Sequence, residues 1–285
     1  MTSRDHRDQY GEHATRRCER ALVTLIGDIG PWRERLVLVG GLAPRYIAGS
    51  LPPGVSPHVG TTDVDLVVQL AVDEDFETYQ RLATNLRRSG FKSTQPSYRW
   101  VRDVEGVPVH VEFLCETDQV EAGAIHRTRQ DTGSGFGAFN VAGAQLVTRD
   151  HFDYELEAER LDDGGLSRVS LRVAGTLSYV VLKTLAFQDR HHDKDAYDLV
   201  YTLVNHPDGG PHAAGRNAAR SPVRQEPRVI EALRLLSRRF NNAGDDGPHS
   251  YANFEADPGD TDGKARLRNE AVAAVTQFLT AIGMN

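Results

Sequence analysis

The stretch Leu36-Val-Leu-Val-Gly-Gly-Leu-Ala-Pro-Arg45, followed after a loop by Thr61-Thr-Asp-Val-Asp-Leu-Val-Val68, decides the fold. Four apolar residues ahead of a diglycine describe a buried strand that turns into a helix. The second run describes a strand carrying two carboxylates two residues apart. Side chains alternate across a strand, so Asp63 and Asp65 share a face at roughly 6–7 Å. Carboxylates that close repel unless a proton or a cation lies between them. A divalent ion is the usual resolution, and an ion held by carboxylates suits phosphate chemistry. Gly40 and Gly41 offer backbone close to where a phosphate would lie, with the N–H groups of the following helix aimed at it.

Working outward, Glu12 to Ile29 has helical spacing, with Ala21, Leu22, Leu25 and Ile26 on one stripe. Leu42–Ala48 reads as the helix behind the diglycine, and Thr62–Leu70 as the carboxylate strand. Phe76, Tyr79, Leu82, Ala83 and Leu86 recur at helical intervals, and Gly90 suits the C-terminal cap. Tyr98–Val104 and Val107–Leu114, joined at Glu105-Gly106, read as a β-hairpin. The glycine-rich Thr132-Gly-Ser-Gly-Phe-Gly137 lacks both the dinucleotide spacing and the Lys-Ser/Thr ending of a P-loop, so a turn is expected. Tyr154–Leu161 and Arg168–Val173 alternate as strands, with Val169, Leu171 and Val173 inward. From Thr176 the pattern turns helical: Thr176–Gln188, Lys194–Val204, Pro227–Phe240 and Lys264–Ile282. Pro207 to Pro227, rich in Gly, Pro and Ala, reads as a mobile connector. The expected fold class is α/β (α+β), a mixed β-sheet flanked by helices over residues 1–165, then a mainly helical domain over 166–285.

The 285 residues suffice to bury a sizeable core, and 39% hydrophobic with 26% charged residues is ordinary for a globular chain. No apolar run approaches the ~18 residues of a membrane span, and no signal-type segment follows the charged N-terminus. Two cysteines, Cys18 and Cys115, form neither a disulfide framework nor a zinc pattern, so a reducing cytoplasm is expected. The net charge of −7 argues against a whole-surface nucleic-acid binder. Locally the balance differs: seven arginines stand between Arg216 and Arg239, and six acids without a Lys or Arg between Phe240 and Gly263. The basic run is either a solvated face or an RNA-contacting surface.

A third acidic ligand is expected from a neighbouring strand, and Glu112 in Val109-His-Val-Glu-Phe-Leu114 has the same apolar-acid-apolar character; Glu105 and Glu116 compete with it. Thr61 and Thr62 either contact a phosphate or an acid by hydroxyl or serve as β-formers. Arg45 either faces the phosphates or makes a helix-surface ion pair. Further on, Lys183 lies among Tyr179, Val180, Leu182 and Phe187, where a lysine snorkels to water or meets an anion. Arg190 shares its helix face two turns later. Asp193 suits a helix cap, and Asp195 and Asp198 are explicable by the next helix's first turn. His191-His192 has no further ligand at zinc spacing.

Gly40-Gly41 before a helix, with Thr61-Thr-Asp-Val-Asp-Leu66, resembles the signature of the polymerase-β-like nucleotidyltransferase superfamily. Val39 to Arg45, His58 to Leu66, and Lys183 through Lys194-Asp-Ala-Tyr-Asp-Leu199 are similar to its AbiEii/AbiGii-type toxin branch, over roughly Leu36 to Leu203. The inserted Leu51-Pro-Pro-Gly-Val-Ser-Pro-His58 makes the interval from Gly41 to Asp63 longer than the superfamily's usual spacing. The branch often carries such a loop. The resemblance implies Mg2+ (or Mn2+) on Asp63, Asp65 and Glu112, catalytic roles for these with Lys183 and Asp195, and an NTP substrate. Gly40, Gly41, Arg45, Thr61, Thr62, Lys183 and Arg190 would bind the nucleotide. It further implies the toxin of a toxin–antitoxin or phage-defence pair, an RNA acceptor such as tRNA, and a separate antitoxin partner. A small-molecule, antibiotic-modifying transferase and a non-catalytic nucleotide-binding module are the rival readings.

Overall fold

The computed structural model describes residues 10–69, 76–127 and 136–284, the side chains of 76–79 excepted. Leu70, the expected end of the carboxylate strand, and most of the expected turn at Thr132–Gly137 lie outside the described residues. The chain forms two compact units: an α/β unit of Gly11–Ala43 and Gly60–Ala174, and a helical unit of Tyr10, Pro44–Val59 and residues 175–284.

In the α/β unit, nine strands of the described residues form one mixed sheet: β1 (Leu36–Val39), β2 (Asp63–Val68), β3 (Lys92–Ser93), β4 (Arg99–Val104), β5 (Val107–Cys115), β6 (Ile125–His126), β7 (Ala138–Asn140), β8 (His151–Glu159) and β9 (Leu166–Ala174). Their order is β3-β4-β5-β2-β1-β9-β8, with β7 beside β5 and β6 beside β7. β2 runs antiparallel to β1 but parallel to β5, and parallel neighbours need a crossover, which here includes α3 (Phe76–Arg88). All four residues of β1 are buried, as a central strand covered on both faces requires. The helix α1 (Glu12–Asp28) packs on β8 and β9 and buries Cys18, Ala21, Leu22, Leu25 and Ile26. The hairpin β4–β5 turns on Glu105 and Gly106, both at positive φ (58° and 79°), the backbone that a tight two-residue hairpin demands.

The expected boundary at 165/166 moves. β9 pairs in parallel with β1 through Val37↔Arg172 and Leu38↔Val173, so residues 166–174 complete the sheet. Residues 44–59 belong with the helices, so neither unit is continuous in sequence.

The helical unit contains α4 (Thr176–Arg190), α5 (Asp193–Val204), α6 (Gly210–Ala219), α7 (Pro227–Arg239), α8 (Asp246–Glu255) and α9 (Thr261–Ala281), besides most of α2 (Ala43–Ala48). The connector expected over Pro207–Pro227 is in large part α6. Pro211 lies in its first turn, where a missing N–H costs nothing, and Ala213, Ala214, Gly215 and Ala218 are buried. A Cβ on Gly215 would lie 2.5 Å from the Phe278 carbonyl oxygen of α9. The small residues that suggested mobility instead let two helix backbones come close. Among the described residues no helix is long and apolar enough to cross a membrane.

Candidate active site

β2 buries Val64, Leu66, Val67 and Val68 and leaves Asp63 and Asp65 half-exposed on one face. Register then assembles the neighbours. Asp65 lies beside Glu112 of β5 and opposite Val39 of β1, and Glu112 lies opposite Arg99 of β4. A row Arg99, Glu112, Asp65, Val39 thus crosses four strands, with His110 beside Asp63 in the next row. Glu112 is the third acid of this face. Its two competitors are engaged elsewhere: Glu105 sits in the hairpin turn against Arg20, and Glu116 accepts the Gln145 N–H.

Gly40 is required here on two counts. Its φ is +66°, and a Cβ would stand 1.8 Å from Asp65 Oδ2. The glycine therefore makes room for the carboxylate itself. Gly41 is buried in the short 3-10 turn that leads into α2. The buried Thr61 hydroxyl donates to Asp63 Oδ1 at 2.5 Å, so of its possible partners the acid is the one it meets; Thr62 is exposed.

Burial and like charge both act on the titratable groups of this face. Burial raises the Cys18 thiol well above its ordinary value, and Asp63 adds to the shift. Burial also raises the Glu112 carboxyl, with Arg99 opposing and the like charge of Asp63 reinforcing. Arg99 meets Glu112 Oε1 through Nε at 2.7 Å and Nη2 at 2.5 Å. Among the described residues no group of three or more His, Cys, Asp or Glu side chains stands ready to hold a metal ion. The pair Asp63 and Asp65 does fit a hard divalent cation, since Mg2+ takes one or two carboxylates and keeps several waters. Glu112 has the right chemistry and register, with its Oε1 given to Arg99.

The remaining expected residues lie in the helical unit. Arg45 donates to the His58 carbonyl at 3.4 Å. The Lys183 ammonium is buried and donates to Asp195 Oδ1 at 3.0 Å and Asp198 Oδ2 at 2.6 Å. The anion Lys183 meets is internal. Arg190 completes Asp195 at 2.6 and 2.7 Å, and Lys194 completes Asp198 at 2.8 and 3.1 Å. His58 Nε2 lies 2.9 Å from Asp198 Oδ1, stacked on Tyr197. Burial raises the Asp198 and Asp195 carboxyls, but Lys183 with Lys194 or Arg190 lowers them by more, so both are held below their ordinary value and stay ionised. These two acids are ion-pair partners, and the residue that caps α5 is His192, not Asp193. Sequence reasoning missed Arg99 although a signal existed: counting outward from the two-residue turn Glu105-Gly106 puts it opposite Glu112. It also missed Lys194 and His58 as partners of Asp198.

The basic run is partly spent inside the fold. Arg239 binds Gln188 and Asp246, and Arg224 donates to the Ile282 carbonyl. Arg228, Arg234 and Arg238 are exposed. Arg238 lines a cleft of about 350 Å³ with Gln188, Leu235, Arg239, Asp245 and Asp246, so acids from the following tract share its surface.

A scan against models of protein families finds no match, and a search of curated proteins finds none either.

Proposed function

We propose that this chain is a metal-dependent nucleotidyltransferase of the AbiEii/AbiGii toxin type, moving a nucleoside monophosphate from an NTP to an acceptor hydroxyl and releasing pyrophosphate. One observation carries the reading. Asp63 and Asp65 share a face with Glu112 in register beside them, behind a glycine that has no room for a Cβ. Asp63 and Asp65 would hold Mg2+ or Mn2+, with Glu112 as the third carboxylate. Such an ion neutralises phosphate charge and orients in-line displacement. Thr61 fixes one oxygen of Asp63, leaving its other oxygen for the ion. The Gly40-Gly41 turn supplies backbone for the phosphates.

The acceptor in this reading is RNA, tRNA by resemblance, held in part by the exposed Arg228, Arg234 and Arg238. The same resemblance supplies the toxin role and a separate antitoxin protein as partner. The test is incubation of purified protein with each radiolabelled NTP, Mg2+ and total RNA. Label should enter RNA and be lost in Asp65→Asn. Full activity in a folded Asp65→Asn would end the catalytic reading. Label in a small hydroxylated compound, with none in RNA, would replace the RNA acceptor by the antibiotic-modifying alternative.

A further inference from the structure

Resting on that reading of the acid face, we propose that Arg99 is a positioning residue: it holds Glu112 while no cation is bound and releases it when a divalent cation arrives. The face carries three carboxylates, Asp63, Asp65 and Glu112, and the Arg99 guanidinium lies on the same row. Its two contacts to one oxygen, Oε1, are short and charge-assisted. They hold one oxygen of a carboxylate that stands beside Asp65 in register, so a cation drawing on both Asp65 and Glu112 would meet the competing charge of the guanidinium.

The pair is also built to be broken. The Arg99 side chain is 39% exposed and stands over the Tyr98 ring, so solvent can receive the released guanidinium, while the Glu112 side chain, 14% exposed, stays on the face. A buried pair would not exchange this way; removing one partner there strands a charge. Without Arg99, three carboxylates on one face would repel in the cation-free protein. With it, Glu112 stays aligned on the row, ready for a cation. Arg99 and the cation therefore compete for Glu112, and the guanidinium sets the concentration at which the site fills.

The probe is Mn2+, followed by its free-ion electron paramagnetic resonance signal and by calorimetry, without nucleotide. Arg99→Ala should bind Mn2+ about two- to fivefold more tightly than the natural protein, the range expected for a partly exposed ion pair. Arg99→Lys, which keeps the charge but not the fork, should fall between. In the Glu112→Gln background the gain from Arg99→Ala should vanish. An equal gain in both backgrounds would mean a general field effect and overturn the proposal while leaving the acid site standing. Weaker Mn2+ binding by Arg99→Ala would overturn it too. Absence of Mn2+ binding by every folded protein, natural and variant, would instead remove the metal site itself. Should Arg99→Ala fail to fold, Arg99→Lys with and without Glu112→Gln carries the same comparison.

Discussion

Replacing Lys183 by Met separates an internal ion pair from a phosphate-binding lysine by the sign of its effect on stability. An ammonium reserved for an external phosphate would be desolvated and unpaired in the ligand-free protein, and its removal would stabilise. Lys183 instead bridges Asp195 and Asp198 at 3.0 and 2.6 Å, with only 8% of its side chain exposed. Breaking a buried pair by removing one partner costs roughly 3–5 kcal/mol. Each aspartate keeps a second cation, Arg190 or Lys194, which places the loss near the lower end, about 3 kcal/mol. At roughly 2–4 °C per kcal/mol for a chain of this size, the melting temperature should fall by about 6–12 °C. Asp198→Asn should cost more, since Lys183, Lys194 and His58 all converge on that carboxylate. Arg190→Gln should cost least, about 1 kcal/mol or below, because Arg190 is 54% exposed and screened. The Lys183 ammonium is held above its ordinary value of 10.5 and the Asp198 carboxyl below 3.8. The pair therefore contributes fully between those values; it is lost as pH falls below the lower one or rises through the raised lysine value. Circular dichroism melts at pH 7 decide the matter. An unchanged or higher melting temperature for Lys183→Met would refute the internal pairing and restore the lysine to ligand binding.

Gly40→Ala should destabilise by about 2 kcal/mol or more and abolish transfer, because a left-handed φ alone costs an L-residue roughly 1–2 kcal/mol and its Cβ would collide with Asp65; melting and activity measured together check this, and a stable, active variant would refute it. Gly215→Val should cost roughly 1–3 kcal/mol by forcing α6 from α9, read as a lower denaturant midpoint at constant slope. His58 is buried and neutral, its imidazole lowered from 6.5 to about 4 because burial outweighs the attraction of Asp198. Between those values the unfolded chain takes up the proton first, so stability should fall as pH drops through the window, by on the order of 3 kcal/mol; urea titrations of His58→Asn should lack this slope.

The acid face was legible because its cause is local. A period of two puts Asp63 and Asp65 on one side of β2 whatever surrounds the strand, and Glu105-Gly106 sets the register that brings Arg99 to Glu112. Pro207–Pro227 misled for an equally physical reason. Gly and Pro lower the local helix signal and Ala supplies no apolar periodicity, yet the small Gly and Ala residues are what the contact of α6 with α9 needs, and only the partner helix reveals that need. Lys183 could be read as an amphipathic or anion-seeking lysine, but its anions lie twelve and fifteen residues on, across the turn between α4 and α5.

By itself the sequence determined the mixed α/β character, the helical C-terminal part, the hairpin and the shared face of two aspartates, since each follows from periodicity or turn chemistry within a few residues. Tertiary structure decided that β9 completes the sheet beside β1, that residues 44–59 join the helices, and which charge neutralises which. Backbone periodicity acts over one element, whereas ion pairing depends on distances between elements that no local spacing encodes.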